Sequence, residues 1–182
     1  MPVAVLDLGS NIDKEDSLAK ALEYLSDVIT LRRCSPVYLS APVGMANQPD
    51  YLNLSAEIET DLGVEELRVA LRGIEDAMGR NRDVPKYGPR IIDIDILLYD
   101  SLVDDALGVP HPQTEAQTFV VLPLADLYPD GQHPKLGKGW TELRRDLLRG
   151  RSPQDAGIRL HGAVGTLPLG PKAQHALAET TL

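Results

Sequence analysis

Residues 88–100 read GPRIIDIDILLYD. A short run of isoleucines and leucines behind Gly-Pro has the composition of a strand. Strands send alternate side chains to opposite faces, so Asp93 and Asp95 point one way while Ile92, Ile94 and Ile96 point the other. Two carboxylates then stand side by side. Like charges at that separation repel and resist burial, so ionised aspartates here need something positive in front of them. Either a metal ion or basic residues alone would meet that need.

Working outward, the loop before this strand, GRNRDVPKYGP (79–89), together with Arg90, carries Arg80, Arg82, Lys86 and Arg90 against a single acidic residue, Asp83. Arginines and paired carboxylates thus converge on one end of a sheet. Polyphosphate chemistry needs both kinds of group. Carboxylates hold Mg²⁺, which bridges phosphate oxygens, and arginines clamp the phosphates and offset developing charge. An Asp-x-Asp pair is enough, because Mg²⁺ takes one or two protein carboxylates and keeps several waters. The glycine-rich G-x-x-x-x-G-K-[ST] phosphate loop is absent.

Further upstream, Val3–Leu8 is a short apolar run ending at Gly9-Ser10-Asn11, followed by Leu18, Ala21, Leu22 and Leu25 at helical spacing. Asn11 or Asp13 is expected to cap that helix. Two strands follow: Val28 to Leu39, interrupted by Pro36, and Tyr51 to Thr60, where Leu52, Leu54, Ala56 and Ile58 alternate with their neighbours. A second helix places Leu67, Ala70, Leu71, Ile74 and Met78 on one stripe. The order is β-α-β-β-α-β. It specifies an α+β fold of ferredoxin-like type, an antiparallel sheet with helices packed against it. Beyond residue 100 the signal weakens to a short helix or apolar segment near FVVLPLADL and a last helix in GWTELRRDLLRG. The tail after Gly150 is rich in Gly, Pro and Ala without a sustained period, and is expected to pack loosely or be partly disordered. The expected organisation is one domain over 1–149 and an extension over 150–182.

Composition narrows the function. The chain has 182 residues, 43% of them hydrophobic and 25% charged, with a net charge of -9 and a pI near 4.8. Acidity of this size argues against broad binding to nucleic acid or anionic membranes, so an anionic ligand must meet a local basic cluster. An RNA-binding module shares the same element order but stacks bases on aromatics and is usually basic; one Phe and 4% aromatic residues do not suit it. The single cysteine, Cys34, excludes an internal disulfide and reads as a small strand residue. No run reaches membrane-span length, and the start MPVAVLDLGSN has no basic stretch, so the expected location is the cytoplasm.

The run KYGPRIIDIDILLYD, with LGSNIDKEDSLAKAL, QPDYLN, and VPHP followed by FVVLPLADLYPD, resembles the 6-hydroxymethyl-7,8-dihydropterin pyrophosphokinase family of folate biosynthesis, in consistent order over about residues 3–149. That resemblance implies transfer of the β,γ-pyrophosphate of ATP to the pterin hydroxymethyl group, with two Mg²⁺ ions held by Asp93 and Asp95 and ATP as co-substrate. It implies that Arg80 and Arg90 act in catalysis with the two aspartates. Glu75, Arg82, Tyr87 and His111 would join Arg80 and Arg90 around ATP. For the pterin, Tyr51 and Phe119 would form the two walls of a sandwich, with Asn53 and the segment Pro42, Val43, Gly44 and Met45 reading its polar edge. Gln117 and Ala106 stand where some relatives carry basic residues that touch ATP. His133, His161 and His175 receive no role. The implied protein is a monomer acting on small molecules, and the competing reading is a paralogue that binds nucleotide or pterin without turnover.

Overall fold

The structure is a computed structural model, and it describes residues 1–178 apart from Met45, Ala46, Val84, Lys86 and Tyr87. The elements are β1 (Val3–Ser10), α1 (Lys14–Val28), β2 (Thr30–Cys34), β3 (Val37–Ser40), β4 (Tyr51–Glu59), α2 (Val64–Ala77), β5 (Asp93–Tyr99), α3 (Thr118–Leu127), α4 (Trp140–Leu148), β6 (Ile158–Gly162) and α5 (Pro171–Ala178). The sheet is antiparallel in the order β5-β1-β4-β3-β6, with β2 also on β4. The expected β-α-β-β-α-β core is present, with its second strand split in two.

Pro36 causes the split, because it has no N–H to donate to a ladder. Ser35 bridges the gap. Its backbone N–H donates to the Ser55 carbonyl (2.9 Å), and its hydroxyl accepts from Ser55 N (2.9 Å). β2 can therefore pair with the end of β4 and β3 with its beginning.

Strand alternation divides the sheet into two faces. Ala4, Leu6 and Leu8 of β1, Leu52, Leu54, Ala56 and Ile58 of β4, and Ile94 and Ile96 of β5 pack against Leu18, Leu22 and Leu25 of α1 and Leu67, Leu71 and Ile74 of α2. Burying a side chain of this size contributes roughly 1.5–3 kcal/mol, so this face supplies most of the driving force. On the other face Val5 and Leu97 pack under Val121, Leu124 and Trp140 from α3 and α4. That cover spans only part of the face. Where it stops, the sheet shows Asp7, Gly9, Asp93 and Asp95 to a cleft.

His133, unassigned from sequence, is fully buried and ties this cover to the cleft. Its Nδ1 accepts from the N–H groups of Lys135 and Leu136 (3.2 Å each), so Nε2 carries the proton and donates to Thr114 Oγ1 (2.9 Å). The Thr114 hydroxyl in turn donates to the His111 carbonyl (2.5 Å). Burial holds the His133 imidazole below its ordinary pKa. A histidine with a depressed folded pKa binds its proton more readily in the unfolded chain, so stability is full above about pH 6.5 and is lost as pH falls below it. His133→Gln is expected to flatten that slope in thermal melts between pH 5 and 7. Parallel pH profiles for variant and wild type would sink this assignment.

The described residues of the tail form two further elements, β6 and α5. β6 pairs with β3 along Val37–Ser40, burying Ile158, and α5 buries Ala173 beside α1 and β2. The Glu23 carboxylate at the end of this contact accepts from Lys172 N (3.2 Å) and Ala173 N (3.0 Å). GWTELRRDLLRG is therefore not the last helix. No helix among the described residues is long and apolar enough to cross a membrane.

Candidate active site

Sheet register brings the cleft's carboxylates together. Asp95 stands opposite Asp7 across β5 and β1, and Asp93 stands opposite Gly9. On the other side of β1, Gly9 lies opposite Asn53, and a Cβ there would meet Asn53 Oδ1 at 3.0 Å. Glycine keeps the floor of the cleft low at that point. Asn53 is itself fixed, its Nδ2 donating to Ser40 Oγ (2.7 Å).

Two cavities meet along this row. One, of about 360 Å³, is lined by Tyr51 and Phe119 with Asn53, Val43, His111 and Gln117. The other, of about 310 Å³, is lined by Arg68, Arg72, Glu75, Arg80 and Arg82. Arg90, Asp93 and Asp95 belong to both. An aromatic, directionally polar pocket thus shares a carboxylate wall with a strongly basic one.

The basic cavity is organised by Glu75, which projects from the last turns of α2 and is 4% exposed. Its Oε1 accepts from Arg80 Nη1 (2.7 Å) and from Ile94 N (2.9 Å), and its Oε2 accepts from Arg82 Nη2 (2.9 Å). Burial raises the Glu75 pKa, against the pull of the Ile94 N–H, Arg80 and Arg82. Arg80 Nη1 also donates to the Ile92 carbonyl (2.7 Å) and to Asp93. Arg90 reaches the other oxygen of Asp93. Arg82 Nη2 additionally meets Asp76 (2.9 Å).

Asp95 makes no salt bridge to a described residue and differs from Asp93 in this respect. Burial pushes its pKa up, and the nearby Asp93 charge adds to the effect. Asp7 is more extreme. Burial, then Asp95 and Asp93, hold its carboxyl well above the usual range. The donor set facing the cleft is all oxygen, includes a buried unpartnered Asp7 Oδ1, and suits a hard divalent cation such as Mg²⁺. Among the described residues no group of three or more His, Cys, Asp or Glu side chains is placed to hold a metal ion, so a cation here would take at most two carboxylates and fill its other positions with water.

Most residues expected from sequence reach these two cavities. Tyr51 and Phe119 both line the first, and the Tyr51 hydroxyl donates to the Gly88 carbonyl (3.1 Å). His111 lines it too, with Nδ1 accepting from Gln113 N (3.3 Å). Pro42 and Gly44 are not among its lining residues, whereas their neighbours Ala41 and Val43 are. Ala106 sits in a turn, its N–H donating to Asp104 Oδ1 (2.9 Å), and lines neither cavity. Met45, Lys86 and Tyr87 lie outside the described residues.

Sequence reasoning missed two residues. Asp7 carried a signal, as a lone acid in the apolar run VAVLDLG on the same alternation as Val5 and Gly9. Asn11 was expected as a helix cap and is not one. Its Oδ1 accepts from Arg90 N (2.8 Å), while its Nδ2 donates to Gln48 Oε1 (3.0 Å) and the Pro49 carbonyl (3.1 Å). It fastens the loop entering β5 to the loop entering β4. Asp13, at the start of α1, makes no side-chain cap either; its carbonyl accepts from Ser17 N (2.8 Å).

Known proteins similar to this chain point to one family. The family model for 7,8-dihydro-6-hydroxymethylpterin-pyrophosphokinase matches residues 5–129. Over 147 residues the chain is 37% identical to 2-amino-4-hydroxy-6-hydroxymethyldihydropteridine pyrophosphokinase of Aquifex aeolicus, covering 79% of this chain and 91% of that one. Over 141 residues it is 41% identical to the protein of the same name from Pseudomonas aeruginosa, covering 75% and 86% respectively. Among solved structures, wild-type Plasmodium falciparum HPPK-DHPS with pteroate superimposes with a TM-score of 0.71 at 14% identity, covering 87% of this chain. This chain spans about half of that longer chain, 47%, and the likeness concerns the fold. The chain belongs to the 7,8-dihydro-6-hydroxymethylpterin-pyrophosphokinase family.

Proposed function

We infer that this chain transfers the β,γ-pyrophosphate of ATP to the hydroxymethyl group of 6-hydroxymethyl-7,8-dihydropterin and releases AMP. The observation that carries this reading is the junction of the two cavities at Arg90, Asp93 and Asp95, in a chain whose relatives bear that enzyme's name. An aromatic pocket suits a flat heterocycle and a basic one suits a triphosphate. The reacting hydroxyl and the β-phosphorus would then meet over the carboxylate wall.

Within that reading, Tyr51 and Phe119 stack on the two faces of the pterin and Asn53 reads its polar edge, with the Pro42–Met45 segment closing the pocket. Arg90 and Arg82 reach the phosphates, beside Tyr87 and His111. Arg80 spends its guanidinium on Glu75, the Ile92 carbonyl and Asp93, so its part is to set the Asp93 carboxylate and to add positive charge at the phosphate edge. Glu75 fixes both arginines and so shapes the ATP side. Asp93 and Asp95 would hold the Mg²⁺, two ions in all, and the metal would supply positive charge against that developing on the phosphates. Catalysis on this plan is positioning and charge stabilisation, with no covalent intermediate on the protein.

A non-catalytic paralogue would be expected to have lost an aspartate of the pair or an arginine of the loop, and this chain retains all of them. Every residue assigned falls within 1–149, which supports that stretch as the catalytic domain and 150–182 as an accessory extension, and the working unit proposed is a monomer. Pterin-dependent AMP release by a chain stopped after Arg149 would test that boundary.

The decisive experiment is nucleotide product analysis with ATP, Mg²⁺ and the reduced pterin, against controls lacking pterin or metal. AMP without ADP is the expected result. ADP would mean γ-phosphoryl transfer, and absence of pterin-dependent AMP would overturn the assignment.

A further inference from the structure

Salt bridges account for three of the carboxylates around the cleft. Glu75, Asp76 and Asp93 pair with Arg80, Arg82 and Arg90, so each negative charge has a positive counterpart. Asp7 and Asp95 have no salt bridge to a described residue. They face each other across the β1–β5 register and both line the cleft. Asp7 is 7% exposed, and its Oδ1 is sealed from solvent with no hydrogen-bond partner among the described residues. An unpartnered carboxylate oxygen in such a place is unfavourable, and a second carboxylate beside it makes it more so. A divalent cation would offset both carboxylates once it displaced their protons, and oxygen-only donors select a hard one.

We propose that Asp7 is a third carboxylate of the cation site and that, together with Asp95, it holds one divalent cation before any nucleotide binds. This rests on the reading of the cleft as a Mg²⁺ and phosphate site. Asp93 stays with its arginines in that state. The ion has two protein carboxylates and fills its remaining positions with water, an arrangement Mg²⁺ favours because it dehydrates reluctantly. Nucleotide phosphates would then meet a wall whose excess negative charge has already been offset.

The test is metal binding without nucleotide. Mn²⁺ is followed by loss of its free-ion paramagnetic resonance signal and Mg²⁺ by calorimetry, on wild type, Asp7→Asn and Asp7→Ser. Wild type is expected to bind one ion, and both Asp7 variants to bind at least about tenfold more weakly. Two substitutions at Asp7 are used so that a fold defect in one does not decide the matter, and cooperative melting identifies the folded variant. Unchanged affinity in a folded Asp7 variant, or a wild type that binds no metal alone, overturns the proposal. AMP release measured on the same wild-type preparation separates this from the assignment of function. AMP without metal-alone binding removes the Asp7 site and leaves pyrophosphoryl transfer standing. Asp7-dependent metal binding without AMP does the reverse.

Discussion

Asp95→Asn is expected to lower pterin-dependent AMP release by on the order of 10²–10³-fold, the scale seen when one preorganised electrostatic partner is removed from a reacting centre. The same substitution is expected to leave the fold intact and to raise the melting temperature of the metal-free protein. Both effects follow from Asp95 lining both cavities while having no salt bridge to a described residue. Burial and then the Asp93 charge oppose its ionisation, and they outweigh the attraction of His111, Arg80 and Arg90. The sign of the pH effect is fixed by the same facts. A raised folded pKa means the native state keeps its proton where the unfolded chain has lost it. Metal-free wild type therefore gains stability as pH falls through that raised value, and the gain ends near the ordinary aspartate range, about 3.9. Asp95→Asn removes this contribution. AMP assays and melts of the same preparations check the prediction, and a variant retaining a tenth of wild-type turnover would remove Asp95 from the site.

Asp93→Asn makes an informative contrast. It sits two residues away on the same face, yet both its oxygens are bonded to arginines. Its loss should reduce stability as well as turnover, because Arg80 and Arg90 would each lose a charged partner. The two aspartates look equivalent in the sequence and differ in the structure.

That difference marks the limit of what the sequence conveys. Alternation in IIDIDILL was enough to put Asp93 and Asp95 on one face, because side-chain period is a local property of a strand. Which residues stand opposite them is set by register, and register depends on pairing β1 with β5 across some 90 positions. Asp7 therefore read as an oddity in an apolar run until β1 was laid beside β5. Asn11 failed differently. Its place before a helix matched a local capping preference, and two loops distant in sequence claimed its amide instead. His133 had no visible partner because Thr114 lies nineteen residues away. The tail gave no period because an edge strand such as β6 is held by backbone hydrogen bonds with β3, which ask little of side chains, and only Ile158 of that strand is buried.

Glu75→Ala is expected to have the largest effect on stability, a loss of about 3–5 kcal/mol, or a fall of roughly 6–20 °C in melting temperature at the 2–4 °C per kcal/mol of a chain this size. The substitution leaves Arg80, whose side chain is 12% exposed, without one of its two carboxylates, and deprives the buried Ile94 N–H of its acceptor. Arg82, nearly half exposed, still has Asp76 and contributes little to the loss. Glu75→Gln should fall in between, since an amide oxygen can still accept from Ile94 N and the neutral side chain avoids the burial that raises the Glu75 pKa. The pair of variants also decides what Glu75 does for ATP. If it shapes the site only by holding the arginines, Glu75→Gln should lower kcat with a modest rise in KM for ATP, and its melting temperature should fall with its activity. If the carboxylate itself meets the nucleotide, KM for ATP should rise strongly in a Glu75→Gln protein that melts like wild type. The geometry favours the first outcome, because both Glu75 oxygens are already occupied by Arg80, Arg82 and the backbone of β5.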